Sequence, residues 1–133
     1  MSDHTPTLPG VALVATGGFA GALARYGVDV ALTSTLAATL VVNVFGSFAL
    51  GVVFFGNRRG GLLGDRATLV AVTGFISSFT TYSTFVIDAV VTEPVTAGAY
   101  VFASYALGFS AVILGRPVGR RLALLGPTPG ESP

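Results

Sequence analysis

One apolar segment of the sequence carries an unusual number of hydroxyl groups. Residues 74–85 read GFISSFTTYSTF, with six serines and threonines and no charge. Serine and threonine hydroxyls can satisfy backbone groups that lack a helical partner, so this composition suits a membrane helix broken near the bilayer centre. Such a break exposes carbonyls that can bind a cation and N–H groups that favour an anion. The alternative is that the hydroxyls bond only to carbonyls of their own helix.

The same segment places aromatic rings at Phe79, Tyr82 and Phe85, at positions i, i+3 and i+6. A stripe of this kind usually packs in a core. Beside a pore, however, the positive edges of aromatic rings can meet a small anion. The spacing leaves both interpretations open.

Two other apolar segments carry polar tracks. In the second, five residues recur on one helical face, and they are Asn43, Gly46, Ser47, Leu50 and Gly51. In the fourth, Tyr100, Ser104 and Gly108 lie at i, i+4 and i+8. Each track is either a helix–helix seam with polar groups joining the helices, or part of a polar pathway through the membrane.

One charged pair lies within an apolar segment. Arg25 precedes Asp29 by four residues, so the two side chains share a helix face and could form an ion pair. A snorkelling arginine near the membrane interface is the alternative. At a pore mouth, Arg25 would also attract anions.

The residue types exclude most enzyme chemistry. The chain has no cysteine, and its single histidine, His4, lies in a polar N-terminal tail. There is no nucleophile–base pair, carboxylate pair within a span, phosphate-binding loop or cluster of metal ligands. We therefore expect no enzymatic activity.

Composition defines the setting of these residues. Hydrophobic residues make up 52% of the 133 positions and charged residues only 10%, against about 25% charged in soluble domains. The mean hydropathy is +0.79. Glycine, with 18 residues, is enriched as expected where membrane helices pack closely. The composition predicts an integral membrane protein.

The charges divide the chain into segments of membrane-spanning length. The predicted fold is all-α, with four transmembrane helices over residues 11–32, 37–56, 67–87 and 94–115. The predicted organisation is a polar tail at 1–10, a four-helix unit at 11–115, and a tail at 116–133 that begins basic and ends rich in proline and glycine. Asp88 is expected in the connector before the fourth span.

The arginines predict the orientation. Six of them lie on one side of a four-span arrangement, and they are Arg58, Arg59, Arg66, Arg116, Arg120 and Arg121. The connectors of the other side carry no lysine or arginine. Because positive loops stay inside, we expect a multi-pass protein of the cell membrane with both termini in the cytoplasm.

Three ordered motifs carry a resemblance to a known family. Residues 17–26 read GGFAGALARY and resemble a first-helix motif GGxxGAxxRY; residues 39–48 read TLVVNVFGSF and resemble TLxVNxxGSF. Residues 74–85 resemble a third-helix motif GFCGGxTTFSTF. Over about residues 11–115 the chain therefore resembles the CrcB/Fluc family of fluoride channels.

The resemblance implies a fold and a pathway. Family members form antiparallel dimers of four-helix subunits, with the third helix broken mid-membrane and two narrow pores at the interface that export fluoride passively. Carried over motif by motif, the implied fluoride pathway is Asn43, Tyr82, Phe85, Ser83, Thr84, Tyr100 and Ser104, with Arg25 in the vestibule. A structural sodium ion at the dimer centre is implied at the main-chain carbonyls of Ser77 and Thr80.

The sequence departs from the family pattern at the break. Ser77 and Ser78 replace two glycines of the family motif. Tyr82 replaces a phenylalanine and so adds a hydroxyl group to the ring. Since the arginine bias predicts one orientation only, we expect a dimer with an oppositely oriented paralogue, with a homodimer as the alternative. A non-conducting partner subunit is the second functional interpretation. A small drug/proton antiporter is disfavoured, because such transporters need a membrane-embedded carboxylate and the first span offers only Asp29.

Overall fold

A computed structural model describes residues 7–125 of the chain. Within this range the protein is all-helical, with no β-strand. The elements are α1 (Leu8–Ala31), α2 (Thr35–Gly60), α3 (Asp65–Thr68), a π-helix (Leu69–Ile76), α4 (Ser77–Phe79), α5 (Tyr82–Val91) and α6 (Pro94–Leu125). They form four segments long and apolar enough to cross a membrane, Leu8–Ala31, Thr35–Arg58, Asp65–Val91 and Pro94–Leu125. The prediction of an all-helical protein with four membrane-capable helices is confirmed.

The helices begin at capping side chains. The Thr7 hydroxyl accepts a hydrogen bond from the Gly10 N–H, and Pro9 lies in the first turn, where its missing N–H costs nothing. As a result α1 begins at Leu8, three residues before the predicted start. Ser34 caps α2 in the same way, through the Ala37 N–H.

The ends of α2 and α6 also differ from the predicted span limits. Helix α2 ends at Gly60 and is capped by Gly61, whose φ of 68° lies in the left-handed region that glycine adopts without strain. Helix α6 continues past Arg116 and through Pro117 to Leu125. The first part of the predicted basic tail is therefore helical.

The most extensive helix contacts in the described chain, between α2 and α6, form along a glycine seam. A Cβ at Gly119 would fall on the carbonyl oxygen of Val52, and one at Gly115 would lie 2.6 Å from the carbonyl oxygen of Phe48. On the other side of the seam, a Cβ at Gly51 would fall on the carbonyl oxygen of Val112. Only glycine lets the two backbones approach this closely.

A second glycine seam joins α1 to the π-helix. Cβ atoms at Gly17 and Gly21 would fall on the carbonyl oxygens of Val70 and Phe75. In return, a Cβ at Gly74 would lie 2.7 Å from the carbonyl oxygen of Val14. The close approach expected from the glycine spacing of the first span is thus present, and its partner is the first half of the third span.

Candidate functional site

The third span is interrupted by two residues of extended backbone. Helix α4 ends at Phe79, and Thr80 has φ −77° and ψ 158°. Thr81 has φ −144° and ψ 123°, after which α5 begins at Tyr82. The Thr80 N–H and hydroxyl both donate to the Ile76 carbonyl, at 3.0 and 2.9 Å. The Thr81 hydroxyl caps α5 by accepting from the Thr84 N–H at 3.2 Å.

The side chain of Asn43 bridges to this interruption from α2. Its Nδ2 donates to the Thr81 carbonyl at 2.9 Å, and its Oδ1 accepts from the Thr81 N–H at 2.8 Å. The amide therefore replaces two backbone partners that an unbroken helix would have supplied. One turn along α2, a Cβ at Gly46 would fall on the methyl group of Thr80, so glycine is required for this close approach.

These two caps leave the carbonyls of Ser77 and Thr80 without their usual donors. In an α-helix each would accept from the N–H four residues later. The Thr81 N–H instead donates to Asn43, and the Thr84 N–H instead donates to the Thr81 hydroxyl. The Ser77 hydroxyl donates to the Thr73 carbonyl, so it does not replace the missing donor at either of these carbonyls. Oxygens freed in this way suit a hard cation.

A groove of about 390 Å³ opens beside the interruption, between α2, α5 and α6. Four of the predicted pathway residues line it, and they are Asn43, Tyr82, Phe85 and Ser104. Tyr82 is 73% exposed in the single chain. Tyr105 and Phe109 add two further exposed rings to the lining. The groove therefore combines a few polar side chains with aromatic rings in a mainly apolar lining.

Phe85 is the buried centre of the aromatic group. Its ring centroid lies 5.9 Å from that of Tyr82 and 5.4 Å from that of Tyr100, both with tilted rings. The Tyr105 ring meets it edge-on at 6.0 Å, with an interplanar angle of 86°. Geometry of this kind presents ring edges as well as faces within one cluster.

A buried polar cluster lies next to these rings. Asp88, 6% exposed, accepts a hydrogen bond at 2.8 Å from the hydroxyl of Thr39, which is 2% exposed. The buried hydroxyl of Tyr100 lies next to the hydroxyls of Thr39 and Ser104. Each hydroxyl can donate as well as accept, so the cluster offers donors to a small polar guest.

The position of Asp88 corrects the sequence interpretation, which placed it in the connector before α6. It lies three residues after Phe85 on the same face of α5, and that face is turned inward. The connector itself consists of 92–93, where Glu93 caps α6. Its carboxylate accepts from the N–H groups of Val95 and Thr96, both at 3.1 Å, which lowers the pKa of Glu93 below its usual value of 4.5.

Thr80 of the predicted sodium site also lines the groove, whereas the other predicted residues lie outside its lining. Ser83 and Thr84 gather around the hydroxyl of Thr81, which donates to Thr84 Oγ1 at 2.9 Å and lies 3.5 Å from Ser83 Oγ. Arg25 is half-buried and Asp29 exposed, and the described chain holds no ion pair between them. Of the two interpretations of Arg25, the ion pair with Asp29 is therefore not formed.

Sequence reasoning did not identify the buried pair formed by Thr39 and Asp88. Thr39 lies four residues before Asn43, on the same face of α2, and Asp88 lies one turn after Phe85. Their spacing to predicted pathway residues was the available signal. Nothing in the sequence indicated that the two side chains meet, because 49 positions separate them.

The fold and the groove define the class of the protein. It is a small multi-pass membrane protein of four membrane-capable helices, whose polar groups gather around an interrupted third span. Residues 12–116 match the model of the family described as CrcB-like protein, Camphor Resistance (CrcB). The chain belongs to this family, as the sequence motifs predicted.

Named relatives agree with this assignment. The chain is 50% identical over 111 residues to the fluoride-specific ion channel FluC 1 of Natronomonas pharaonis, covering 83% of this chain and 93% of the relative. It is 50% identical over 125 residues to FluC 1 of Haloarcula marismortui, covering 92% and 97%. It is also 42% identical over 109 residues to the fluoride-specific ion channel FluC 2 of Halobacterium salinarum, covering 80% and 84%.

Proposed function

We propose that this protein is a subunit of a fluoride-selective channel that lets fluoride leave the cell down its own gradient. Relatives at 50% identity are named fluoride-specific ion channels. The observation that carries the proposal is the groove itself. It combines the Asn43 amide, the buried Ser104 hydroxyl and the ring of Phe85 at one interrupted helix. An ion channel performs no covalent chemistry, which agrees with the expectation that the protein is not an enzyme.

Neutral donors suit a small, strongly hydrated anion. The Nδ2 atom of Asn43 carries two N–H donors, and Thr81 takes only one of them. The buried hydroxyls of Tyr100 and Ser104 add two further groups that can donate. Such donors replace the water of the anion, while the absence of a fixed positive charge in the groove lining lets the ion leave again.

The second half of each pathway comes, in this proposal, from another subunit. The groove is open on the side of Tyr82, Tyr105 and Phe109, three aromatic side chains that are exposed in the single chain. An antiparallel dimer would cover these rings and close two narrow pores, with the interruption of the third span placed mid-membrane. Closing the groove also removes the water that would let larger anions pass.

The dimer centre is the proposed location of a structural sodium ion. The Ser77 and Thr80 carbonyls would hold it, because their helical donors bond elsewhere. These ligands are main-chain atoms, so serines in place of glycines do not remove them. Bound sodium would supply positive charge at the interface and join the two subunits.

We further propose that both termini face the cytoplasm and that the partner is an oppositely oriented paralogue. The six arginines of one side support a single orientation. Relatives numbered FluC 1 and FluC 2 support the existence of paired chains. Arg25, at the later part of α1, would lie in the vestibule of the pathway. The Tyr82 hydroxyl is compatible with the proposal, because that ring stands at the open side of the groove.

Fluoride efflux from liposomes tests the function. We expect protein reconstituted with its paralogue to release fluoride, measured by a fluoride electrode, without loss of chloride. Phe85→Leu should slow efflux at least about tenfold, whereas Phe19→Leu, at an exposed position of α1, should not. Efflux from this chain alone would refute the need for a paralogue. No efflux from the folded pair would support a non-conducting subunit and overturn the channel proposal.

A further inference from the structure

A second cavity lies near the C-terminal end of α2. It has a volume of about 470 Å³ and is lined by Phe55, Arg58, Arg116 and Arg120. It shares no lining residue with the groove, so it is a separate site. Its lining contains three guanidinium groups and no acidic side chain. A cavity of this composition is matched to an anion.

Aromatic rings orient two of the guanidinium groups. The Cζ atom of Arg116 lies 5.6 Å from the ring centroid of Phe55, and that of Arg58 lies 5.6 Å from the ring centroid of Phe54. These are cation–π distances, and they hold each planar group against a ring. Neither Arg58 nor Arg116 forms an ion pair with a carboxylate of residues 7–125. Their charges therefore stay available to a ligand.

The surface next to the cavity is apolar on the side of the membrane spans. Phe54, 52% exposed, lies one turn before Arg58 on α2, and Ile113, 66% exposed, lies one turn before Arg116 on α6. The charged and apolar surfaces thus follow each other along the helix axes. A free anion would use only the first surface, whereas a lipid would use both.

We propose that this cavity binds the phosphate of an anionic membrane lipid, whose acyl chains lie against Phe54 and Ile113. The arginine forks match the oxygens of a phosphate group in a planar, bidentate geometry. Basic pockets between transmembrane helices at one membrane face bind such headgroups. The bound lipid would join the ends of α2 and α6, and it would do so whether or not the groove conducts fluoride.

Lipid selectivity of the full chain in detergent gives the first test. Native mass spectrometry measures binding of dioctanoyl phosphatidylglycerol, dioctanoyl phosphatidylcholine and inorganic phosphate to the wild-type protein. We expect phosphatidylglycerol to bind at least about tenfold more tightly than the other two, because only it combines net charge with acyl chains. Equal binding of the two lipids would overturn the proposal. Inorganic phosphate binding as tightly as phosphatidylglycerol would overturn the lipid as the ligand.

A matched pair of double variants locates the site. Arg58→Gln with Arg116→Gln removes two charges from the cavity, and Arg66→Gln with Arg121→Gln removes two charges from the same end outside it. At about fivefold per arginine, the first pair should weaken phosphatidylglycerol binding about 25-fold. The control pair should weaken it less than about threefold. Equal weakening by both pairs would overturn the site.

A conservative double variant controls for the possibility that the first pair misfolds. Arg58→Lys with Arg116→Lys keeps both charges but removes the guanidinium forks. We expect it to elute as a single species in size-exclusion chromatography and to bind phosphatidylglycerol about fivefold more weakly. Unchanged binding would overturn the assignment of the forks to the phosphate.

Discussion

The helix seams and the interrupted third span solve the packing of membrane helices in different ways. Along the α2–α6 seam, glycines such as Gly51 and Gly119 bring two backbones together and no side chain intervenes. Around the interruption, the backbones of Thr80 and Thr81 leave the helix, and side chains such as Asn43 supply the missing hydrogen bonds. The first region is closed, whereas the second opens onto a mainly apolar groove in which the polar groups of Asn43, Thr81 and Ser104 lie.

The comparison shows why one scaffold can hold a pathway. Backbone contact at the seams leaves little room for motion, since a packed interface is not continuously deformable. The seams therefore fix α2 against α6 and α1 against the π-helix, and the extended residues of the third span keep a defined position between these pairs. Polar groups at the interruption are satisfied by neighbours that this scaffold places. Variants in the two regions should accordingly fail in different ways.

The largest expected effect is at the seam. Gly119→Leu would force a side chain onto the Val52 carbonyl, and the two helices would have to separate. We expect a loss of about 3 kcal/mol or more in the free energy of unfolding, measured in mixed micelles. Gly98→Leu, on the same helix with no atom within 4 Å of the added Cβ, should change it by less than about 0.5 kcal/mol. Equal losses would show that the seam is not held by backbone contact.

The next effect separates stability from transport. Asn43→Leu removes both hydrogen bonds to Thr81, and unpaired buried groups cost about 1–3 kcal/mol each. Asn57→Leu is the matched control, because Asn57 also makes two such bonds, to Thr68 and the Leu63 N–H, in the loop region. Both variants should lose stability, but only Asn43→Leu should also reduce fluoride efflux per folded protein. A similar loss of efflux in Asn57→Leu would contradict the assignment.

A smaller effect is expected at the buried pair. Thr39→Val keeps the shape of the side chain but removes the donor to Asp88, leaving that buried carboxyl without this partner. We expect a loss of about 1–3 kcal/mol in unfolding free energy. Thr16→Val, whose hydroxyl bonds only to the Ala12 carbonyl of its own exposed helix face, should be close to neutral. A neutral Thr39→Val would show that the contact is dispensable.

The smallest effect lies outside both regions, at the cap of α6. The backbone N–H groups of Val95 and Thr96 lower the pKa of Glu93, so its contribution to stability is present above pH 4.5 and lost as pH falls through the lowered value. Glu93→Gln should therefore be slightly less heat-stable than the wild type at pH 7, and the difference should disappear as the pH falls through the lowered pKa of Glu93. A difference that persists at low pH would assign the effect to packing. Because Glu93 is fully exposed, added salt should further reduce the stability difference between the wild type and Glu93→Gln.

Sequence reasoning predicted the parts of this protein that depend on composition and local spacing. The uncharged segments between charged residues predicted four membrane spans, since a charge inside hydrocarbon is costly. Glycines four residues apart, such as Gly17 and Gly21, indicated a close seam, although their partner was unknown. The six hydroxyls of residues 74–85 predicted an irregular third span, and the backbone of Thr80 and Thr81 is extended in this segment.

Only the tertiary structure decided which distant groups meet. Asn43 bonds to Thr81 across 38 positions and Thr39 bonds to Asp88 across 49. Spacing along a helix specifies a face, but the neighbour of that face depends on how the glycine seams turn each helix in the bundle. For the same reason Asp88, at a position that read as a connector, is buried. The sequence therefore determines which residue types lie on each helix face, and the packing of the helices determines which of these faces contact each other.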